Sequence, residues 1–298
     1  MKPKSNTPVH ARKPDWLKQR LPSGPNFEKI RGMIQKDRLH TVCQEAGCPN
    51  IWECWNCGTA TFMVLGDVCT RDCRFCGVAW AKKPREPDPE EPEKIAKALA
   101  DLNLSWAVVT SVTRDDLADY GAAHFAACVE KIHEVQPETG VEILIPDFMG
   151  DPAALDTVIR SKPQVIAHNV ETVPRLCPLV RPQADYRRSL NVLSCLAKEA
   201  GEAYLVKSSL VLGLGESIQE VRQVFRDLVS CGVSALTMGQ YLAPSKKHFR
   251  VSKFYTPEEF RLLAQMARES GIGRVVSGPL VRSSYRAHEL AGRQLHRA

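Results

Sequence analysis

A chain of 298 residues, 44% apolar and 25% charged, is long enough to bury its core without disulfide staples and has the composition of a soluble enzyme. No apolar run approaches the ~20 residues of a membrane span, and Met1 to Arg20 lacks the apolar stretch of a secretory signal. Pro3, Pro8 and Pro14 break that basic segment, which argues against an organellar transit helix, so the expected compartment is the reducing cytoplasm.

The net charge of +6 is uneven: residues 1–40 carry +7, residues 281–298 carry +3, and residues 41–280 carry −4. Basic ends of this kind are either solvated tails or a docking surface for an acidic partner. Nucleic acid is not expected, since no basic and aromatic residues interleave at a recognition spacing.

In chain order, an irregular arm punctuated by Lys13-Pro14-Asp15 and Leu21-Pro22-Ser23-Gly24 leads to a short helix, Phe27 to about Asp37, with Phe27, Ile30 and Ile34 on one face. From Thr61 a regular alternation begins. Strands are predicted at Thr61–Leu65, Trp106–Thr110, Val141–Ile145 and Val165–Ala167, within Ala203–Leu212, and at Ala235–Met238. Helices are predicted at Pro92–Asn103, Ala122–Val135, after Asp151-Pro152, near Tyr186–Glu199, after the capping box Ser217-Ile-Gln-Glu220, and from Thr256-Pro257.

Six such units imply a parallel sheet, either open and doubly wound or a partial barrel. A reactive-looking polar cluster goes with each strand: Cys69, Cys73 and Cys76 after the first, Thr110 to Asp116 after the second, Pro146-Asp147 after the third, His168 to Glu171 after the fourth, Lys207-Ser208 within the fifth, and Gly239-Gln240-Tyr241 after the sixth. Polar groups gathered from every strand on one rim favour a barrel, so the expected fold is α/β, a partial (β/α)6 TIM-type barrel. The expected division is an N-terminal extension (1–58), the barrel (59–270) and a C-terminal extension (271–298).

Seven of the 11 cysteines fall between Cys43 and Cys76. Six form two triplets: Cys43, Cys48 and Cys54 in a turn-rich loop, and Cys69, Cys73 and Cys76 directly after the first strand. A structural zinc site takes four ligands, and no fourth follows Cys76 at a usual spacing. Three thiolates instead suit a 4Fe–4S cluster with one iron open to a small molecule.

The second triplet is the signature of the radical S-adenosylmethionine (SAM) enzymes. Cys48-Pro-Asn-Ile-Trp-Glu-Cys54, Gly58-Thr-Ala-Thr-Phe-Met63, His168-Asn-Val-Glu-Thr172, Gly239-Gln-Tyr-Leu242 and Ser277-Gly-Pro-Leu-Val-Arg-Ser-Ser-Tyr285 closely resemble the lipoyl synthase family. The resemblance runs from about Lys13 to Ala287. It implies two 4Fe–4S clusters and SAM as cofactors. Cys69, Cys73 and Cys76 would hold the cluster whose open iron chelates SAM and cleaves it to a 5′-deoxyadenosyl radical. Cys43, Cys48, Cys54 and Ser284 would hold an auxiliary cluster that is consumed as the sulfur source.

The family inserts sulfur at the sixth and eighth carbons of a protein-bound octanoyl chain. An unactivated methylene has no acidic proton, so such chemistry falls to cofactors. The implied partners are octanoylated lipoyl-carrier domains, from a 2-oxoacid dehydrogenase or a glycine-cleavage carrier, and a flavodoxin- or ferredoxin-type electron donor. The residues expected to contact SAM are Ser111, Asp115, Asn169, Glu171 and Lys207. His168 reads as a satisfied core histidine, and Cys57 as a bystander beside the cluster loop. Two other readings stay open at this point: another sulfur-inserting radical SAM enzyme, and a zinc-bearing scaffold without chemistry.

Overall fold

The computed structural model describes residues 13–18, 23–57 and 59–292. Most of the basic N-terminal arm and the last residues of the basic C-terminus lie outside the described residues.

Seven parallel strands form one sheet in chain order: β1 (Thr61–Val64), β2 (Trp106–Ser111), β3 (Gly140–Leu144), β4 (Val165–Ala167), β5 (Leu205–Leu212), β6 (Ala235–Gln240) and β7 (Arg274–Gly278). A two-residue strand, His40–Thr41, adds antiparallel to the outer side of β1. The sheet remains open between that edge and β7. This is an α/β partial barrel, as expected, with one strand more than the six predicted. The extra strand, Arg274-Val-Val-Ser-Gly278, lies inside the stretch assigned to the C-terminal extension. It pairs along β6 from Arg274↔Ala235 to Gly278↔Gly239.

The strands are nearly continuous apolar runs because helices cover their outer side. Six helices alternate with them: α1 (Glu91–Asp101), α2 (Ala122–Val135), α3 (Pro152–Arg160), α4 (Tyr186–Ala200), α5 (Ile218–Ser230) and α6 (Pro257–Glu269). Each buries one stripe. In α5 the stripe is Val221, Val224, Phe225 and Leu228, at the three- and four-residue spacing of a helix face. Capping starts the helices where the sequence places it. The Asp151 side chain accepts from the Ala153 amide, and Ser217–Glu220 and Thr256–Glu259 form complete capping boxes.

Large and small residues alternate on the barrel floor. A Cβ at Gly140 would strike the indole of Trp106, its partner in register, so glycine is what lets that ring lie across the strand. Trp106, Val108 and Val165 pack there with Ala287 from the C-terminal segment. Lys207 was expected at the rim, and its ammonium is not there. It is fully buried and bonded at 2.5 Å to Glu142, which is itself buried. A lysine at this depth requires a carboxylate partner, and the pair belongs to the barrel interior. No helix among the described residues is long and apolar enough to cross a membrane.

Candidate functional site

The loop after β1 is held in shape before any ligand is considered. Val68–Cys69 pairs with Ala79–Trp80 in a small parallel ribbon, and the Cys69 sulfur accepts from the Arg71 and Thr113 amides at 3.4 and 3.3 Å. Arg71, between two of the cysteines, is buried. Its guanidinium bonds Asp115 at 2.7 and 2.8 Å and Asp147 at 2.7 and 3.0 Å. The cysteine loop is thereby tied to the loops after β2 and β3. Removing either side of such a buried ionic contact strands the other charge, typically at ~3–5 kcal/mol. Asp115, expected against SAM, is instead a partner of Arg71. Both its oxygens are engaged by that one guanidinium, so it acts by positioning the loop.

A cavity of about 330 Å³ opens beside this loop. Cys69, Cys73 and Cys76 line one side; Ser111, Asn169, Glu171 and Arg181 line another; Val42, Met63, Phe75, Leu144, Val211 and Leu242 supply apolar wall. Three buried polar atoms on these walls have no partner: Ser111 Oγ, Asn169 Oδ1 and Arg181 Nε. Unsatisfied buried groups are uncommon in folded proteins, and three on residues that line one hollow are a reservoir of unspent polar contacts beside it. Asn169 Nδ2 donates to Glu171 Oε1 at 2.9 Å. Glu171 sits at φ 64°, a left-handed conformation costly for a side chain of its size, while its amide and carbonyl bond Ser209 and Val211 of β5. Burial raises its carboxyl above the ordinary range, against the pull of Arg181 and Asn169. A cationic group in the cavity would favour the ionised form.

His168, at the end of β4, is a lock rather than a ligand. Its ring nitrogens meet the Ile145 carbonyl and Ser189 Oγ, each at 3.0 Å. Burial drops its pKa to about 4, outweighing the Ile145 carbonyl. Between pH 6.5 and 4 the unfolded chain takes up a proton that the folded one refuses. Stability is therefore intact above pH 6.5 and is lost as pH falls to 4, by about 3 kcal/mol at 1.36 kcal/mol per unit. Urea unfolding across that interval should be visibly less pH-dependent in His168→Gln; parallel profiles would show that the histidine is not the group responsible.

The first triplet lines a second, small cavity of about 30 Å³ together with Thr61, Arg282, Ser284 and Tyr285. Distant parts of the chain are stitched together here. Asn50 Nδ2 donates to the Leu280 carbonyl at 2.6 Å, Thr61 Oγ1 to Ser284 Oγ at 2.9 Å, and the Tyr285 hydroxyl to Glu53 Oε1 at 2.9 Å. Asn50 and Glu53 lie between Cys48 and Cys54, so the loop carrying the cysteines also fixes the segment carrying Ser284. Arg282 and Ser284 line both cavities, which places them between the two triplets. Cys57 is exposed and lines neither cavity.

Sequence reasoning missed Arg71, Asn50, Glu53 and Arg181. For Arg71, Asn50 and Glu53 the available signal was a charged or amide residue set between the clustered cysteines; Arg181 carried no such signal.

All eleven cysteines are free thiols. Burial pushes Cys43 up to about 11, with Cys48 beside it adding to the rise, and Cys76 up to about 12; Cys54 and Cys73 are raised as well. Such thiols are poor free nucleophiles and become thiolates when a metal takes the charge. No three such side chains among the described residues close round a single ion. Each triplet instead lines a hollow of its own. Three thiols on each hollow are a donor set of the kind a 4Fe–4S cluster takes.

A sequence model described as the radical SAM superfamily matches residues 63–228, and one described as the N-terminal domain of lipoyl synthase matches residues 2–48. The first spans more than half of the chain and makes it a radical SAM enzyme. The lipoyl synthase of Caldicellulosiruptor saccharolyticus is 52% identical over 281 residues, covering 94% of this chain and 98% of that one. That of Chlorobaculum parvum is 50% identical over 276 residues, covering 93% and 94%. The chain belongs to the lipoyl synthase family. At the level of fold, the crystal structure of Streptococcus suis SuiB bound to S-adenosylmethionine aligns with a TM-score of 0.55 at 11% identity, over 82% of this chain and 58% of that one.

Proposed function

We propose that this chain carries out the family reaction, insertion of two sulfur atoms into a protein-bound octanoyl chain, with its two cysteine triplets in separate roles. Family membership makes it a sulfur-inserting enzyme that uses 4Fe–4S clusters and SAM and acts on an octanoylated carrier protein. The finer assignment rests on one observation: Ser284 and Arg282 line both the hollow of Cys43, Cys48 and Cys54 and the hollow of Cys69, Cys73 and Cys76. The two triplets thus line neighbouring hollows that share part of one wall.

When bound, the cofactors supply the radical and the sulfide. The chain's own residues bind, orient and exclude. Cys69, Cys73 and Cys76 hold the SAM-side cluster, and Arg71 fixes their loop. Ser111, Asn169 and Arg181 offer their free polar atoms to SAM, and Glu171 faces its positive charge. Cys43, Cys48, Cys54 and Ser284 hold the sulfur-giving cluster, with Thr61 donating to the serine oxygen. The apolar wall from Val42, Met63, Phe75 and Leu242 receives the octanoyl chain and keeps water from the reacting carbon.

In this division the N-terminal extension and the stretch that follows β7 bring the auxiliary ligands to the barrel. The compartment is cytosolic, where eleven free thiols stay reduced. The reductant is a flavodoxin- or ferredoxin-type protein. The deciding experiment is mass spectrometry of an octanoylated carrier after one turnover with anaerobic protein. A carrier bearing two added sulfurs, with no sulfide source supplied, is the expected result. A carrier left unmodified while SAM is cleaved would overturn the auxiliary role.

A further inference from the structure

The outer face of the SAM-side loop carries a charge pattern opposite to the body of the chain. From Arg74 to Lys83 there are three cations, Arg74, Lys82 and Lys83, and no acid; from Leu242 to Val251 there are three more, Lys246, Lys247 and Arg250, and again no acid. The two stretches are neighbours in space. The Phe249 amide donates to the Arg74 carbonyl at 2.7 Å, and a Cβ built on Gly77 would lie 3.4 Å from Pro244. Both also sit close over the cysteines. The Ala81 amide donates to the Cys69 carbonyl at 2.9 Å, so Lys82 and Lys83 follow directly from a ligand position, and Arg74 lies between Cys73 and Cys76.

All six cations are exposed, and among the described residues none is in an ion pair. Trp80 stands among them half exposed, at 50%. What sets the six apart is that no carboxylate lies in either stretch, whereas Lys94 is met by Asp88 and Glu90, and Lys253 by Glu259.

We propose that this basic apron around Trp80 is the docking surface for an acidic one-electron carrier protein. The inference rests on the reading that Cys69, Cys73 and Cys76 hold a cluster, and it locates where that cluster is reduced. One electron leaves the carrier, which is oxidised by one unit, and enters the cluster, with no proton or group transferred. Unpaired lysines without bidentate partners steer a partner and release it, as a weak, transient electron-transfer contact requires. A central exposed aromatic with a charged rim is the composition of a small interface. The octanoylated carrier has a different requirement, because its acyl chain must reach the space between the triplets. The apron's backbone borders that space through Phe75, Gly77, Val78, Leu242 and Pro244, but its six cations and Trp80 are exposed and do not line it.

The test is the fourfold variant Lys82→Glu, Lys83→Glu, Lys246→Glu and Lys247→Glu in the loaded enzyme, with a reduced flavodoxin as the donor. Two readouts are followed: binding of the oxidised donor to immobilised enzyme, and the rate of cluster bleaching on mixing with reduced donor. Both should weaken by about tenfold or more at low ionic strength and lose most of their salt dependence. Bleaching by photoreduced deazaflavin, a small reductant that needs no docking, should be unchanged. Equal binding by wild type and variant would overturn the proposal. So would a loss confined to the KM for octanoylated carrier under deazaflavin reduction, which would assign the apron to the carrier. A wild-type enzyme that neither bleaches nor cleaves SAM with either reductant would count against the cluster reading itself.

Discussion

Replacing Cys43, Cys48 and Cys54 together with alanine should abolish sulfur insertion and leave SAM cleavage running. The two donor sets hang on different scaffolds. Cys69, Cys73 and Cys76 are fixed through Arg71 to Asp115 and Asp147, and none of those contacts involves the first triplet. The first triplet is fixed through Asn50 and Glu53 to Leu280 and Tyr285. Iron should fall from about eight to about four per chain, and 5′-deoxyadenosine should still form on reduction while sulfur-bearing carrier drops to background. The fold should survive, since the three sites lie at the barrel's open side and only Cys43 is fully buried there. The converse variant, with Cys69, Cys73 and Cys76 replaced, should lose SAM cleavage and product together. Persistence of thio-product in the first variant would show that the auxiliary set is not the sulfur source.

The barrel was legible because its signals are local and repeated. Ala122–Val135 and Val165–Ala167 have the bounds that periodicity and β-branched runs suggested, and the capping box at Ser217 and the Thr256-Pro257 start open helices where they were read. The seventh strand was hidden because Arg274 and Ser277 interrupt its apolar run, and its identity comes from pairing with β6. Cysteine spacing pointed to the ligands, yet spacing says nothing about which charged groups face the hollow. Lys207 and Asp115 were plausible as rim residues by position. The structure commits each to a buried ionic partner, Glu142 and Arg71, that lies far away in sequence. Side-chain direction inside a barrel depends on neighbours from other strands, and a single sequence does not state who those neighbours are.

Gly239→Ala should uncouple the two halves of the site. Gly239 lies in β6 opposite Gly278 of β7, where the Gln240 amide donates to the Pro279 carbonyl at 3.2 Å. A Cβ at Gly239 would overlap the Val281 carbonyl oxygen and stand 3.2 Å from the Arg282 guanidinium. The obstacle is backbone, so the segment itself must shift, and overpacking of this kind costs about 1–3 kcal/mol. That segment carries Arg282 and Ser284, two of the three residues, with Thr61, that line both cavities. Misplacing a group by about 1 Å can cost ~100-fold in rate, so the ratio of thio-product to 5′-deoxyadenosine should fall by one to two orders of magnitude. Gly278→Ala is the matched control. Its Cβ meets only the Val281 side chain, at 3.3 Å, and that methyl group can turn away. It should therefore stay within a few-fold of wild type. An unchanged product ratio in Gly239→Ala would mean that Ser284 keeps its place by other contacts, and that the glycine serves packing alone.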